Sequence, residues 1–135
     1  MKSKLQNPND KLGRRQDVPF DIRERTFLFG VRVVKFVRTL PRDVAGMELG
    51  RQLLRAATSV GANVEEADGA ESARDKIHKW SIARKEAKES RHWLRTIKES
   101  GVSASPEADE LAAEGLELAK ILSALIKKLD AANRP

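Results

Sequence analysis

One predicted helix carries a regular series of basic side chains. Spaced four, three, four and three residues apart, they are Arg84, Lys88, Arg91, Arg95 and Lys98. Because an α-helix has about 3.6 residues per turn, this spacing places all five side chains in one ridge. Such a ridge can follow the phosphate backbone of RNA or DNA. The alternative is an ordinary solvated helix face with a few glutamate partners, and the spacing alone leaves it open.

The net charge is compatible with a polyanionic partner. The 135 residues carry a formal net charge of +6, distributed unevenly: residues 73–104 carry +5, whereas residues 43–72 carry −4. On the first predicted helix, Arg25, Arg32 and Arg38 add further positive charge. A segregated basic surface is typical of proteins that bind polyanions. Solubility alone is an equally good explanation of the charge.

The residues that could bind a metal or catalyse a reaction do not form a recognisable site. His78 and His92 lie fourteen residues apart on one helix, which separates them by about 21 Å along its axis. Glu86 and Glu89 are neighbours at a spacing of three, but helix carboxylates near so many bases are usually solvated or paired with arginine. The chain has no cysteine and no glycine-rich phosphate loop. We therefore predict no metal, no cofactor and no enzymatic activity.

A stripe of polar residues runs along the second predicted helix. The stripe consists of Gln52, Arg55, Ser59, Asn63 and Glu66. It is either an exposed face or a buried hydrogen-bonded network that includes Glu89 of the third helix. Since buried Arg, Asn and Gln side chains need hydrogen-bond partners, a glutamate would satisfy such a network. We predict a structural network rather than a substrate site, with Arg55 and Glu89 close together.

Apolar periodicity and capping residues predict an all-α fold. We expect helices near residues 22–40, 44–69, 72–100 and 105–131. Asp21, Ser72 and Ser105 are good N-caps, and Pro106 suits the first position of a helix. Short connections force sequential helices to run antiparallel, so the prediction is an up-down-up-down four-helix bundle over residues 21–132. Residues 1–20 are expected to form a flexible basic arm.

The first predicted helix carries more apolar surface than a single bundle seam requires. Its apolar arc covers roughly 200°, against about 100–140° for a surface helix. Phe27, Val31 and Val34 widen the arc, and we predict that they form an oligomer interface. The second helix adds Gly46, Gly50 and Gly61, where another backbone could approach closely.

Composition also bears on location. The absence of cysteine is compatible with a reducing compartment. The longest apolar run is interrupted by Arg32 and Lys35, so no membrane span is expected, and residues 1–19 lack the apolar core of a secretory signal. We predict a cytoplasmic protein with no membrane partner.

Two helical stretches resemble a known family. They read QLLRAATSVGANVEEADG and KIHKWSIARKEAKESRHWLRTIKESG. Together they resemble the four-helix bundle family linked to intervening sequences in bacterial 23S ribosomal RNA genes, whose relatives include the accessory variability protein of diversity-generating retroelements. The positions that match the family pattern are Gln52, Arg55, Ala56, Ala57, Ser59, Asn63, Val64, Glu66, Ile82, Ala83, Glu86, Ala87 and Glu89. Ala67 departs from the pattern, which has glycine there, and could let the second helix extend further.

The resemblance implies an assembly more than an activity. It implies a homopentamer with a positively charged surface, and the accessory relatives bind nucleic acid and a reverse transcriptase. The predicted function is therefore a non-catalytic, oligomeric bundle that binds an RNA or DNA backbone through its basic surface. The alternative is an assembly or scaffold protein that binds a protein partner, such as a reverse transcriptase.

Overall fold

The computed structural model describes residues 21–135, and these residues form four α-helices. In chain order the helices are α1 (Ile22–Val37), α2 (Val44–Asp68), α3 (Ala73–Glu99) and α4 (Pro106–Ala132). Each helix packs against the next, and α1 also contacts α4, so the bundle closes. The predicted all-α, four-helix fold is confirmed. The predicted arm 1–20 lies outside the described residues.

The helix ends follow from local capping chemistry. The side chains of Asp21, Asp43, Ser72 and Ser105 each accept hydrogen bonds from backbone N–H groups in the first turn of the helix that follows. After α3 the chain turns at Gly101, whose φ of +81° is a conformation that glycine adopts without steric cost. Sequence-local signals of this kind explain why the predicted bounds of α2, α3 and α4 lie within one or two residues of those observed.

The first helix is shorter than predicted. It ends at Val37, and the N–H groups of Thr39 and Leu40 bond to the carbonyls three residues back, at Phe36 and Val37. Pro41 disfavours a helical conformation at the residue before it. The Thr39 hydroxyl also donates to the Phe36 carbonyl at 2.6 Å, which competes with continuation of the helix.

One apolar core runs along the bundle axis. Its largest fully buried side chains include Phe29 of α1, Leu53 of α2, Leu94 of α3 and Leu118 of α4. Every helix therefore contributes to the same core. Within residues 21–135 no helix is long and apolar enough to cross a membrane.

The glycines of α2 pack against α1 of the same chain. A Cβ atom at Gly61 would lie 3.3 Å from the carbonyl oxygen of Thr26, and one at Gly50 would lie 3.2 Å from Leu40 and Val37. At Gly46 a Cβ would lie 2.1 Å from the Pro41 carbonyl oxygen. The close approach expected from these glycines is therefore explained within the chain, and they carry no argument for a neighbouring subunit.

Candidate nucleic-acid interface

The predicted basic ridge lies on the flank of α3 that borders α4. At one end, Arg84 Nη1 donates to Ser123 Oγ of α4 at 3.3 Å. At the other end, Lys98 forms an ion pair with Asp109 of α4. Between them, Arg91 packs close to Gly115 of α4. The five side chains therefore follow the α3–α4 seam.

Four of the five predicted basic side chains have no acidic partner among residues 21–135. Arg84, Lys88, Arg91 and Arg95 form no ion pair with any acid in residues 21–135, and Lys88 and Arg95 are exposed to solvent. Lys98 is neutralised by Asp109, an acid that lies eleven residues further along the chain. We call Arg84, Lys88, Arg91 and Arg95 the basic strip. It spans twelve residues of helix, about 17 Å from the first Cα atom to the last.

Three of the acids of α4 face α1 rather than the strip. Glu114 accepts two hydrogen bonds from the Arg25 guanidinium, both at 2.8 Å, and this hydrogen bonding raises the pKa of Arg25. Glu107 lies 3.4 Å from Arg32, and Glu110 lies 3.7 Å from the same nitrogen. The expectation that Arg25 and Arg32 add to the positive surface is therefore wrong, since acids of α4 compensate both.

Two lysines of α4 were missed by the sequence analysis. Lys120 and Lys127 follow Asp109 by eleven and eighteen residues, which correspond to about three and five full turns. They therefore share the side of α4 on which Asp109 meets Lys98. Both are exposed and pair with no acid among residues 21–135. Only the packing of α4 on α3 brings them beside the strip.

No metal-binding cluster occurs in the part of the chain that the structure describes. His78 and His92 are both exposed. The His92 ring packs edge-on against Trp93, with the ring centroids 4.9 Å apart.

Comparison with known proteins shows which family the chain belongs to. The model of the 23S rRNA-intervening sequence protein family matches residues 19–124. The chain belongs to this family. Its fold is similar to the crystal structure of a protein of unknown function from the S23 ribosomal protein family of Bacteroides thetaiotaomicron. That structure shares 31% sequence identity and a TM-score of 0.74, over 79% of this chain and 99% of that chain. No curated protein matches the chain.

Three of the residues that carried the family resemblance form the contact between α2 and α3. Arg55 of α2 donates to Glu86 at 3.4 Å and forms an ion pair with Glu89. Glu89 also accepts a hydrogen bond from the Trp93 indole at 3.1 Å. Arg55 and Glu89 are thus close, as predicted, while Glu86 and Trp93 are partners that the sequence analysis did not assign to the network. A spacing of three or four residues from Glu89 was the signal that could have found both.

The electrostatics of this contact depend on which groups are exposed. The Arg55 side chain is 48% exposed, whereas Glu86 is 12% and Glu89 29% exposed. Burial acts to raise the pKa of Glu89, but the hydrogen bond from Trp93 and the hydrogen bond and charge of Arg55 outweigh it and lower that pKa below its ordinary value. The guanidinium is therefore at the surface, and only the acidic side of the contact is largely shielded.

The other stripe residues do not join this contact. Gln52 donates to Glu48, and Glu66 pairs with Lys79 at 2.7 Å. The Ser59 hydroxyl and the Asn63 amide each donate to a backbone carbonyl one turn earlier in α2. The stripe is therefore a set of separate local contacts rather than the single buried network that we predicted.

The apolar residues predicted for an oligomer interface lie at the surface. Phe27 is 61% exposed and Val34 is 38% exposed, while Val31 beside them is half-buried. Met47 and Val44 of α2 are also exposed, at 64% and 87%. Sequence periodicity singled out the α1 residues but missed these two.

Proposed function

We propose that this member of the 23S rRNA-intervening sequence protein family is a non-catalytic protein that binds the phosphate backbone of RNA or DNA along the basic strip. The observation that carries the proposal is the set of four neighbouring cations on α3 that have no acidic partner among residues 21–135. Several acids of the bundle are engaged by other bases, as Glu114 is by Arg25. The strip therefore presents concentrated positive charge.

The physical basis of binding is the release of counterions. Each lysine or arginine that neutralises a phosphate releases condensed cations, so affinity falls steeply as salt concentration rises. Contacts of this type position a backbone and do not read bases. We expect weak sequence preference and a strong dependence on ionic strength.

The test is a charge-neutralising variant with a matched control. In the test variant, Arg84, Lys88, Arg91 and Arg95 are replaced by Gln. In the control, four cations of α1, α2 and the segment that connects them are replaced by Gln, namely Lys35, Arg38, Arg42 and Arg51. Fluorescence anisotropy with labelled RNA and DNA measures Kd across a salt series. We expect the test variant to bind at least ten-fold more weakly at low salt. The slope of log K against log salt should become shallower by about 0.7–0.9 for each lost phosphate contact.

Two results would defeat the proposal. One is the absence of wild-type binding at low salt, and the other is an equal loss of affinity in the test and control variants. The first result would favour the scaffold alternative, in which the bundle binds a protein partner. Circular dichroism of both variants checks that the helices are retained.

We further infer that the protein is a homo-oligomer that associates through Phe27, Val31 and Val34. Leaving large apolar side chains in water costs roughly 1.5–3 kcal/mol each, and exposed apolar patches mark interaction surfaces. The family resemblance supports five subunits. Because α1 and α3 are diagonal in the bundle, the apolar patch on α1 does not overlap the basic strip on α3.

A further inference from the structure

The α3–α4 seam carries two rows of cations rather than one. The first row is the basic strip on α3. The second consists of Lys120 and Lys127 on α4, which lie on the side of the helix that borders α3 because they repeat the position of Asp109. All the cations of both rows lack an acidic partner within residues 21–135.

The register of the two helices places the rows side by side. Ser123, which accepts the Arg84 hydrogen bond, lies three residues after Lys120 and four before Lys127. Since α3 and α4 are antiparallel, Lys120 lies level with the stretch between Arg84 and Lys88, and Lys127 lies beyond Arg84 toward the start of α3. The axes of packed helices are about 8–10 Å apart, and each row lies on one of these two neighbouring helices.

Two rows of cations on neighbouring helices suit a ligand with two phosphate backbones. A double helix presents its two backbones across grooves that are about 6 Å and about 12 Å wide in B-form DNA. Double-stranded RNA is likewise contacted mainly through its phosphates and its shape. We propose that the ligand of this surface is a nucleic-acid duplex, with the basic strip on one strand and the α4 lysines on the other. The inference rests on the proposed function and specifies its substrate class.

The tryptophans of α3 are engaged in the fold, which disfavours a single strand. Proteins that bind single strands stack bases on aromatic side chains beside a basic groove. Here the Trp93 indole donates to Glu89 on the α2 side of the helix. The Trp80 ring is half-buried, packs against the core, and has the Lys76 ammonium group 5.4 Å from its centroid. The two rows therefore offer charge for phosphates and no free indole ring for bases.

The experiment compares duplex and single-stranded ligands in the full-length protein. The test variant is Lys120→Gln with Lys127→Gln. The control is Lys35→Gln with Lys128→Gln, which removes the same charge; Lys128 is the neighbour of Lys127 but points about 100° away around the helix. Each is titrated with a 20-base-pair RNA duplex, a 20-base-pair DNA duplex and a 20-nucleotide single strand over a range of salt concentrations.

For at least one duplex, we expect the test variant to reduce the slope of log K against log salt by about two, since each lost phosphate contact removes about one. On the single strand we expect a change of less than one, and the control should behave as wild type on all ligands. An equal reduction of the slope on the single strand would overturn the duplex inference and leave the proposed function intact. An unchanged slope on both duplexes would also overturn it. Failure of the wild-type protein to bind any ligand would instead defeat the proposed function itself.

Discussion

At the scale of single residues, Arg55 joins α2 to α3 through two carboxylates. The pairing is asymmetric, because Glu86 and Glu89 are largely shielded while the guanidinium is half exposed. Removing the partner of a fully buried guanidinium lowers the free energy of unfolding by several kcal/mol. Solvent screening at Arg55 reduces that value to the range of surface ion pairs, about 0.2–1 kcal/mol.

Glu89→Gln should therefore destabilise the bundle by about 1 kcal/mol at pH 7, since the hydrogen bond from Trp93 can still form to the amide oxygen. The folded-state pKa of Glu89 lies below its ordinary value. Its stabilising effect is therefore present above the unfolded pKa of about 4.3 and is lost as the pH falls through the lower folded value. Urea denaturation at pH 7 and near pH 3 measures the effect.

The control for this prediction is Glu65→Gln. Glu65 is exposed and forms no ion pair in the described part of the chain, so its replacement should change stability by less than about 0.5 kcal/mol. A difference between Glu89→Gln and wild type that is the same at both pH values would contradict an electrostatic role for Glu89.

At the scale of helices, glycines set how closely α1 approaches α2. Gly46 sits where α2 begins, and a Cβ there would lie 2.1 Å from the Pro41 carbonyl oxygen. Gly30 lies inside α1, where a Cβ would meet only ordinary contacts at 3.8 Å. The two glycines thus differ in their packing.

Alanine substitutions should therefore act in opposite directions at these two glycines. Gly46→Ala should destabilise the protein by about 1–3 kcal/mol, because the backbone must move to relieve the clash. Gly30→Ala should stabilise it by about 0.5–1 kcal/mol, because alanine is the better helix former. Thermal and urea denaturation compare the two variants. Equal effects at both positions would mean that helix propensity, and not the contact with the Pro41 carbonyl, governs them.

At the scale of the whole molecule, charged and apolar groups are sorted onto different sides. Glu107, Glu110 and Glu114 of α4 face arginines of α1, Lys120 and Lys127 of α4 border α3, and the large exposed apolar side chains lie on α1 and the start of α2. This sorting separates the surface proposed for nucleic acid from the one proposed for self-association. The two can therefore be disrupted independently.

Light scattering after size exclusion should give a mass well above the 15.0 kDa of one chain, and a pentamer would give about 75 kDa. Phe27→Glu should dissociate the assembly, because a carboxylate would be buried at the interface. The matched control is Ala113→Glu, at an exposed position on α4. A wild-type mass near 15 kDa would refute self-association, and a mass near 30 kDa would exclude the pentamer. If Phe27→Glu remained assembled, the interface would not be the one proposed on α1.

The sequence by itself determined the four helices, three of their N-caps and the basic ridge, because each depends on residues within one or two turns of one another. Ser72 caps α3 through the N–H three residues on, and the ridge repeats every three or four residues. The end of α1 was placed too late, because the turn at Thr39 and Leu40 combines the restriction imposed by Pro41 with side-chain bonding that periodicity does not report.

Only the tertiary structure decided which charges remain free. Arg25 is compensated by Glu114, 89 residues away, and Lys98 by Asp109 on the next helix. Lys120 and Lys127 join the basic surface for the same reason, since their position beside α3 depends on the rotation of α4 within the bundle. Helical periodicity specifies which residues share a face, but the packing of helices specifies which face meets which neighbour. The net charge of a surface depends on both.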